Sequence, residues 1–152
     1  MSLTDMPVHD PLTANCVLLS IFTSTSALAQ STLGELFDSG GKKLSKEDVV
    51  AALSGATISE TTTNRATFHI KYYADGTYSG NRPAYMGAIE YGARGVFGTW
   101  TVDESGNVCS TTKQWGSNNV NCRYFYRIGG QYYISNSDSD RSAKVYPRTL
   151  EK

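Results

Sequence analysis

From Thr57 onward apolar residues recur with a period of two, and Gly, Asn and Asp break the pattern into short runs of Tyr, Phe, Ile, Val and Thr. A period of two places alternate side chains on opposite faces of a strand, and glycine-bearing breaks reverse the chain, so the pattern predicts an antiparallel β-meander. Residues 66–73 alternate Phe68, Ile70 and Tyr72 against His69, Lys71 and Tyr73, and Asp75-Gly76 supplies a tight hairpin into residues 77–80. Residues 96–102 lead through Asp103-Glu104-Ser105-Gly106 into 107–113; counting those four as the loop sets Trp100 opposite Cys109. Pairing Cys109 with Cys122 centres the next turn between Trp115 and Gly116, which leaves Trp115 at a loop tip before the strand 120–128. Gly129-Gly130 then makes a two-residue hairpin into 131–136 and sets Tyr126 across from Tyr133.

On these registers one face collects Cys122, Tyr124, Tyr126, Ile128 and Tyr133, with Trp100 packed beside the cysteines, and this is the expected core. The other face carries Phe125, Tyr132 and Ile134 between Arg123 and Arg127, more apolar than a solvated sheet surface needs. It is covered either by the chain's own helix or by a partner or ligand. That helix is expected over 44–53: Ser45 is its N-cap with Asp48 three residues later, Leu44, Val49, Val50 and Leu53 are its apolar side, and Gly55 closes it. Residues 30–43, with Gly40-Gly41-Lys42-Lys43, read as a flexible lead-in that has no phosphate-loop spacing. The expected fold class is therefore mainly β: a small antiparallel meander forming a barrel or sandwich, with one short N-terminal helix, occupying 44–152 as a single domain.

Ahead of the domain, residues 14–29 read ANCVLLSIFTSTSALA and end in Ala27-Leu28-Ala29, the small-residue pattern of a signal-peptidase site. The run falls short of the roughly 20 apolar residues that a membrane-spanning helix needs, so residues 1–29 read as a signal peptide rather than an anchor. The start MSLTDMPVHDP departs from the usual basic n-region, because it carries Asp5 and Asp10 and no Lys or Arg. Cutting before Gln30 removes Cys16 and leaves Cys109 and Cys122, an even count that suits one disulfide in an oxidising compartment. The alternative is two buried unpaired thiols.

Charge balance narrows the partners. Lys+Arg 14 against Asp+Glu 14 gives a formal net charge of zero, with no basic patch for nucleic acid or an anionic membrane. Beyond the leader a single histidine remains, His69, so a His/Cys zinc site is excluded, and no Gly-x-Ser-x-Gly turn occurs to support a serine triad. His69 shares a face with Lys71 and reads as a solvated strand residue, with a general base as the lesser reading. A glycosidase needs two acids about 5 to 9 Å apart across a cleft, whereas the available acids, Asp75, Glu90, Asp103, Glu104, Asp138 and Asp140, mostly fall in turns. Residues 136–140 start like a calcium loop, but Arg141 stands where glycine makes the sharp turn. No metal or cofactor is expected.

The ordered set Tyr73-x-Asp75-Gly76-Thr77, Gly98-x-Trp100-x-Val102-Asp103, Gly106-x-Val108-Cys109, then Cys122, Arg127 and Gly130-x-Tyr132-Tyr133 resembles the small exported bacterial proteins grouped as domain of unknown function family 995. The resemblance spans most of residues 30–152 and implies export and a small disulfide-linked β-fold, with no activity to transfer. Gly98-x-Trp100 is also similar to the lipocalin and avidin signature, here mid-chain rather than on a first strand, so that likeness is one of architecture. The reading that follows is an exported, non-enzymatic β-domain, periplasmic or extracellular. It binds a small ligand or an envelope protein through Trp115 and a barrel rim including Tyr72, Tyr85 and Tyr91, because Tyr and Trp offer broad apolar faces with polar edges. The alternatives are an inhibitor of an envelope hydrolase or protease, and a weak hydrolase using His69 and a carboxylate.

Overall fold

The computed structural model describes residues 30–61, 67–86, 89–114 and 117–152, with side chains described outside 61, 82–94, 114 and 117–119. Elements follow in the order α1 (Leu33–Asp38), β1 (Lys42–Lys43), α2 (Lys46–Leu53), β2 (Thr57–Thr61), β3 (Thr67–Tyr72), β4 (Thr77–Met86), β5 (Ile89–Val102), β6 (Asn107–Gln114), β7 (Ser117–Ile128), β8 (Gln131–Ser135) and β9 (Tyr146–Glu151). Strands β2 to β7 pair consecutively and antiparallel; β9 then inserts between β2 and β8, and β8 pairs back onto β7. The ring is a closed eight-stranded antiparallel barrel, which leaves no free sheet edge. The two-residue β1 takes up β7 beyond the reach of β6: Lys42 and Lys43 pair with Arg127 and Tyr126, whereas β6 begins at Asn107 opposite Tyr124.

Two turns of one design set the registers. In each, a backbone amide donates across the turn (Tyr73 N to Thr77 O, 2.8 Å; Asp103 N to Asn107 O, 3.1 Å), and a glycine at positive φ, Gly76 at 84° or Gly106 at 80°, closes it. Three residues lie between the paired ends, the loop that combines a type I turn with a glycine bulge. The aspartates stabilise these loops: Asp75 Oδ1 accepts from Thr77 N and Oγ1, and Asp103 Oδ1 accepts from Ser105 N and Oγ and from Asn107 N.

That three-residue loop corrects the expected register by one. Trp100 pairs with Ser110, and Thr101 pairs with Cys109. A one-residue slip moves a side chain to the opposite face. Trp100 therefore lies in the lumen with Phe125, and the indole is not beside the cysteines as expected. The pairings Cys109 with Cys122, Gln114 with Ser117, Ile128 with Gln131 and Tyr126 with Tyr133 are as the sequence predicts. The two sulfurs lie 2.08 Å apart and bridge β6 to β7 on the outer wall.

The lumen holds Ile58, Tyr78, Trp100, Val108 and Phe125, and Leu44 ahead of α2 plugs it together with Val49 and Leu53 of the helix; Ile70, Tyr72, Val102, Tyr132, Ile134 and Leu150 pack alongside. Of the two covers considered for the Phe125, Tyr132 and Ile134 face, the chain's own helix supplies it. Ser45 caps α2 as expected, its Oγ accepting from Asp48 N at 3.1 Å.

The face expected as the sole core, with Tyr126 and Tyr133, is the outer wall, and a second helix buries it. Residues 30–43, expected as a flexible lead-in, contain α1. A Thr32/Glu35 capping box opens this helix, Leu33 and Leu36 are fully buried, and both join Tyr126, Tyr133 and Val145 in a separate cluster. Residues 141–145 hold α1 from outside: Leu33 N donates to Ala143 O and Gly34 N to Arg141 O, both at 2.8 Å, and Arg141 pairs with Asp38 at 2.6 Å.

Candidate functional site

Residues paired across an antiparallel ladder share a face. Arg148 is paired with Tyr132, Arg123 with Val108, and Glu60 with Phe68, while Tyr132 and Val108 belong to the lumen cluster. The lumen-side face thus carries three part-buried charged side chains, two guanidiniums and one carboxylate, while Arg127, also paired with Tyr132, is exposed. Glu60 Oε2 pairs with Arg148 Nη2; the arginine side chain is 11% exposed and the glutamate 27%. Burial pulls the Arg148 proton affinity down, the Glu60 carboxylate opposes that pull, and the Arg123 charge adds to it. Arg123 itself has one hydrogen bond among the described residues, from Nη1 to the neighbouring Cys122 carbonyl at 2.8 Å.

The barrel wall opens beside this pair. β9 changes partner midway: Tyr146–Arg148 pair with β8, while Thr149–Glu151 pair with β2. Where the β2–β9 ladder ends at Ser59 opposite Thr149, a groove of about 350 Å³ is lined by Ser59, Glu60, Gln131, Tyr146, Arg148 and Thr149, with Pro147 completing it. Its lining mixes outward residues (Ser59, Thr149) with lumen-side ones (Glu60, Arg148), so it is a slot in the wall that reaches the ion pair. Gln131 Nε2 braces one side by donating to the carbonyls of Tyr132 and Arg148.

The lumen also holds an aromatic layer. Tyr72 stacks on Tyr78 at 5.8 Å and meets Trp100 edge-on at 5.6 Å, and Tyr78 Oη is 2.6 Å from Thr112 Oγ1. The Tyr78 ring lies against Gly98, where a Cβ would come within 2.8 Å of it. Burial raises the Tyr72 pKa, with Ser110 and Arg148 pulling the other way. Its phenol therefore stays neutral and can donate a hydrogen bond.

Of the expected rim residues, only the side chain of Tyr72 is described. Tyr72 pairs with Tyr78 at the plugged end and packs in the lumen, whereas Tyr85 pairs with Glu90 at the far end of the β4–β5 hairpin. Seven residues separate Tyr78 from Tyr85, about 23 Å along a strand. Tyr91 lies on the same far end of β5, and the side chains of Tyr85 and Tyr91 lie outside the described residues, as does Trp115. Arg148, Glu60 and Arg123 were not singled out from the sequence as site residues. An arginine opposite apolar Tyr132 on a strand was the available signal, and it needed β9 to be recognised.

His69 lies on the outer face as expected, and its Nδ1 is 2.8 Å from Ser59 Oγ across the β2–β3 ladder. No carboxylate among the described residues is hydrogen-bonded to the ring. In residues 136–142 the polar groups serve the turn: Ser137 Oγ accepts from Asp140 N, Asp140 Oδ1 accepts from Ser142, and Asp138 pairs with Lys43 at 2.9 Å. No group of three or more His, Cys, Asp or Glu is placed to hold a metal among the described residues, and none of their helices is long and apolar enough to cross a membrane. Comparison of the chain with family models, curated proteins and solved structures gives no match.

Proposed function

We propose that the chain is an exported, non-enzymatic β-barrel module of the cell envelope, periplasmic or extracellular once residues 1–29 are removed, and that it binds a small ligand through the slot between β2 and β9. The observation that carries this reading is Arg148: a guanidinium 11% exposed, at the foot of a groove of about 350 Å³. A volume of that size is in the range of small-molecule sites. The resemblance to domain of unknown function family 995 and the two cysteines at bonding distance support export. The test is native purification followed by extraction and mass spectrometry of small molecules, beside the same preparation of Arg148→Met. A compound retained by the wild type and lost from the variant supports the reading, and identical empty extracts abandon it. Intact mass beginning at Gln30 with both thiols oxidised checks the compartment.

The Ser59–His69 contact favours a second reading, hydrolysis with the imidazole as base and the hydroxyl as nucleophile. It requires turnover of some ester or amide in a substrate panel, and turnover undiminished in His69→Ala would sink it.

A further inference from the structure

The groove between β2 and β9 presents two opposite charges that are already joined. Glu60 Oε2 pairs with Arg148 Nη2, and Arg148 Nη1 also donates to the Pro147 carbonyl at 2.8 Å. An anion approaching Arg148 meets the Glu60 carboxylate, and a cation approaching Glu60 meets the guanidinium, so this lining draws in neither sign. The rest of it is uncharged: the hydroxyls of Ser59, Tyr146 and Thr149, the Gln131 amide and Pro147. Ser59 Oγ is engaged with His69, and Gln131 Nε2 with two carbonyls. Among the described residues, Gln131 Oε1, the second Glu60 oxygen and the Tyr146 and Thr149 hydroxyls make no hydrogen bond, which leaves acceptors in excess. A ligand hydroxyl answers such a set, because it donates to one group while accepting from another. Two neighbouring hydroxyls can donate to Glu60 and accept from Arg148 with the ion pair intact. Tyr146, 48% exposed, and Pro147 are the apolar part of the lining, and a phenol ring offers a broad apolar face. An added peptide strand is a poorer fit, since Pro147 has no N–H to give it and its carbonyl is taken.

We propose that the groove is a saccharide site, taking a neutral pyranose whose neighbouring hydroxyls bridge Glu60 and Arg148 and whose C–H face rests on Tyr146. This rests on the reading of the slot as a small-ligand site and adds the chemistry of the ligand. Glu60 has two tasks within it: it accepts from the sugar, and it cancels the charge that would otherwise draw anions to Arg148.

The test is titration of the oxidised protein, followed by the backbone amide NMR shifts of Glu60, Arg148 and Thr149. The probes are the methyl pyranosides of glucose, galactose and mannose, with glucuronate and glucosamine as charged counterparts and serine as a zwitterion. At least one methyl pyranoside should bind with millimolar affinity, and no charged sugar or serine should bind more tightly. Tyr146→Ala should weaken that pyranoside about fivefold. Glu60→Gln should weaken it about tenfold and at the same time gain affinity for glucuronate, a gain that mere loosening of the wall would not produce. Thermal melting checks that both variants fold. Glucuronate, glucosamine or serine bound by the wild type more tightly than every pyranoside overturns the inference and leaves ligand binding standing. Pyranoside affinity unchanged in folded Y146A and E60Q also overturns it, because the sugar then sits elsewhere. If no probe moves these amides the inference falls, while the slot as a ligand site is still decided by the extraction from wild type and Arg148→Met.

Discussion

Strands β7 and β8 are aromatic on both faces, and the two faces are buried in different ways. Inside, Phe125, Tyr132 and Ile134 pack with α2 within the ring of strands, where Leu53 and Val49 share a cluster with Ile58, Tyr78, Trp100 and Val108. Outside, Tyr126 and Tyr133 meet α1, which is held against the wall by one segment, residues 141–145. Side chains inside are supported by strands from the whole ring; those outside depend on one short helix staying docked. The contrast teaches that a strand with two apolar faces need not signal a missing partner, and that the outer cover is the part able to open without unfolding the barrel.

The largest expected effect tests the lumen. Trp100→Ala should cost about 3–5 kcal/mol in urea unfolding, since it removes the largest lumen side chain. It also breaks the indole N–H contacts to the carbonyls of Tyr73 and Thr77 at 3.0 and 3.1 Å. Leu36→Ala, the matching change in the outer cluster, should cost about 2–3 kcal/mol and raise hydrogen exchange in α1 ahead of the rest. A larger loss from Leu36→Ala would reverse the comparison.

Replacing Cys109 and Cys122 by alanine should remove about 3 kcal/mol, because the bond closes a short loop across β6 and β7. Since this staple lies on the outer wall, protection of α2 amides should fall only with global stability.

The caps sharpen the contrast at about 1 kcal/mol each. Ser45→Ala should lower the global unfolding midpoint, whereas Thr32→Ala should fray α1 locally with a smaller change in midpoint. Equal midpoint shifts would show both helices unfolding with the barrel.

Smallest is the acid response. Hydrogen bonds from the hydroxyl of Thr77 to Asp75, of Ser105 to Asp103 and of Ser142 to Asp140 hold all three carboxyls below the usual range. A lowered folded-state pKa contributes stability above the unfolded value, about 4, and that contribution disappears as pH falls through the depressed one. Asp103→Asn should therefore flatten the urea midpoint slightly between about pH 5 and 2. These carboxyls are exposed, so an acid limb as steep in the variant as in the wild type would place the sensitivity elsewhere.

Much of the barrel was legible locally. The pairings around Gly129-Gly130 and from Cys109 to Cys122 follow from turn residues and strand alternation, and α2 from Ser45, its apolar side and Gly55. The Asp103–Gly106 loop is one residue shorter than its four turn-forming residues suggest, because a glycine at positive φ after a type I turn makes an odd loop, and parity decides the face. Helix α1 also had a signature, Thr32 with Glu35 three residues on, which the glycines and lysines after it obscured. Strand β9, with Pro147, Arg148, Thr149 and Glu151 among its six residues, shows no apolar alternation and forms only because β2 and β8 offer their edges.

Sequence alone determined the antiparallel meander, the places where it turns, the cysteine pairing and the plugging helix, because each depends on residues within a hairpin or a single helix. Closure of the ring by β9, the choice of inner and outer wall, and the meeting of Arg148 with Glu60 were decided by tertiary structure. Those contacts join residues tens of positions apart, and a two-residue period states that faces alternate without stating which of them encloses the lumen.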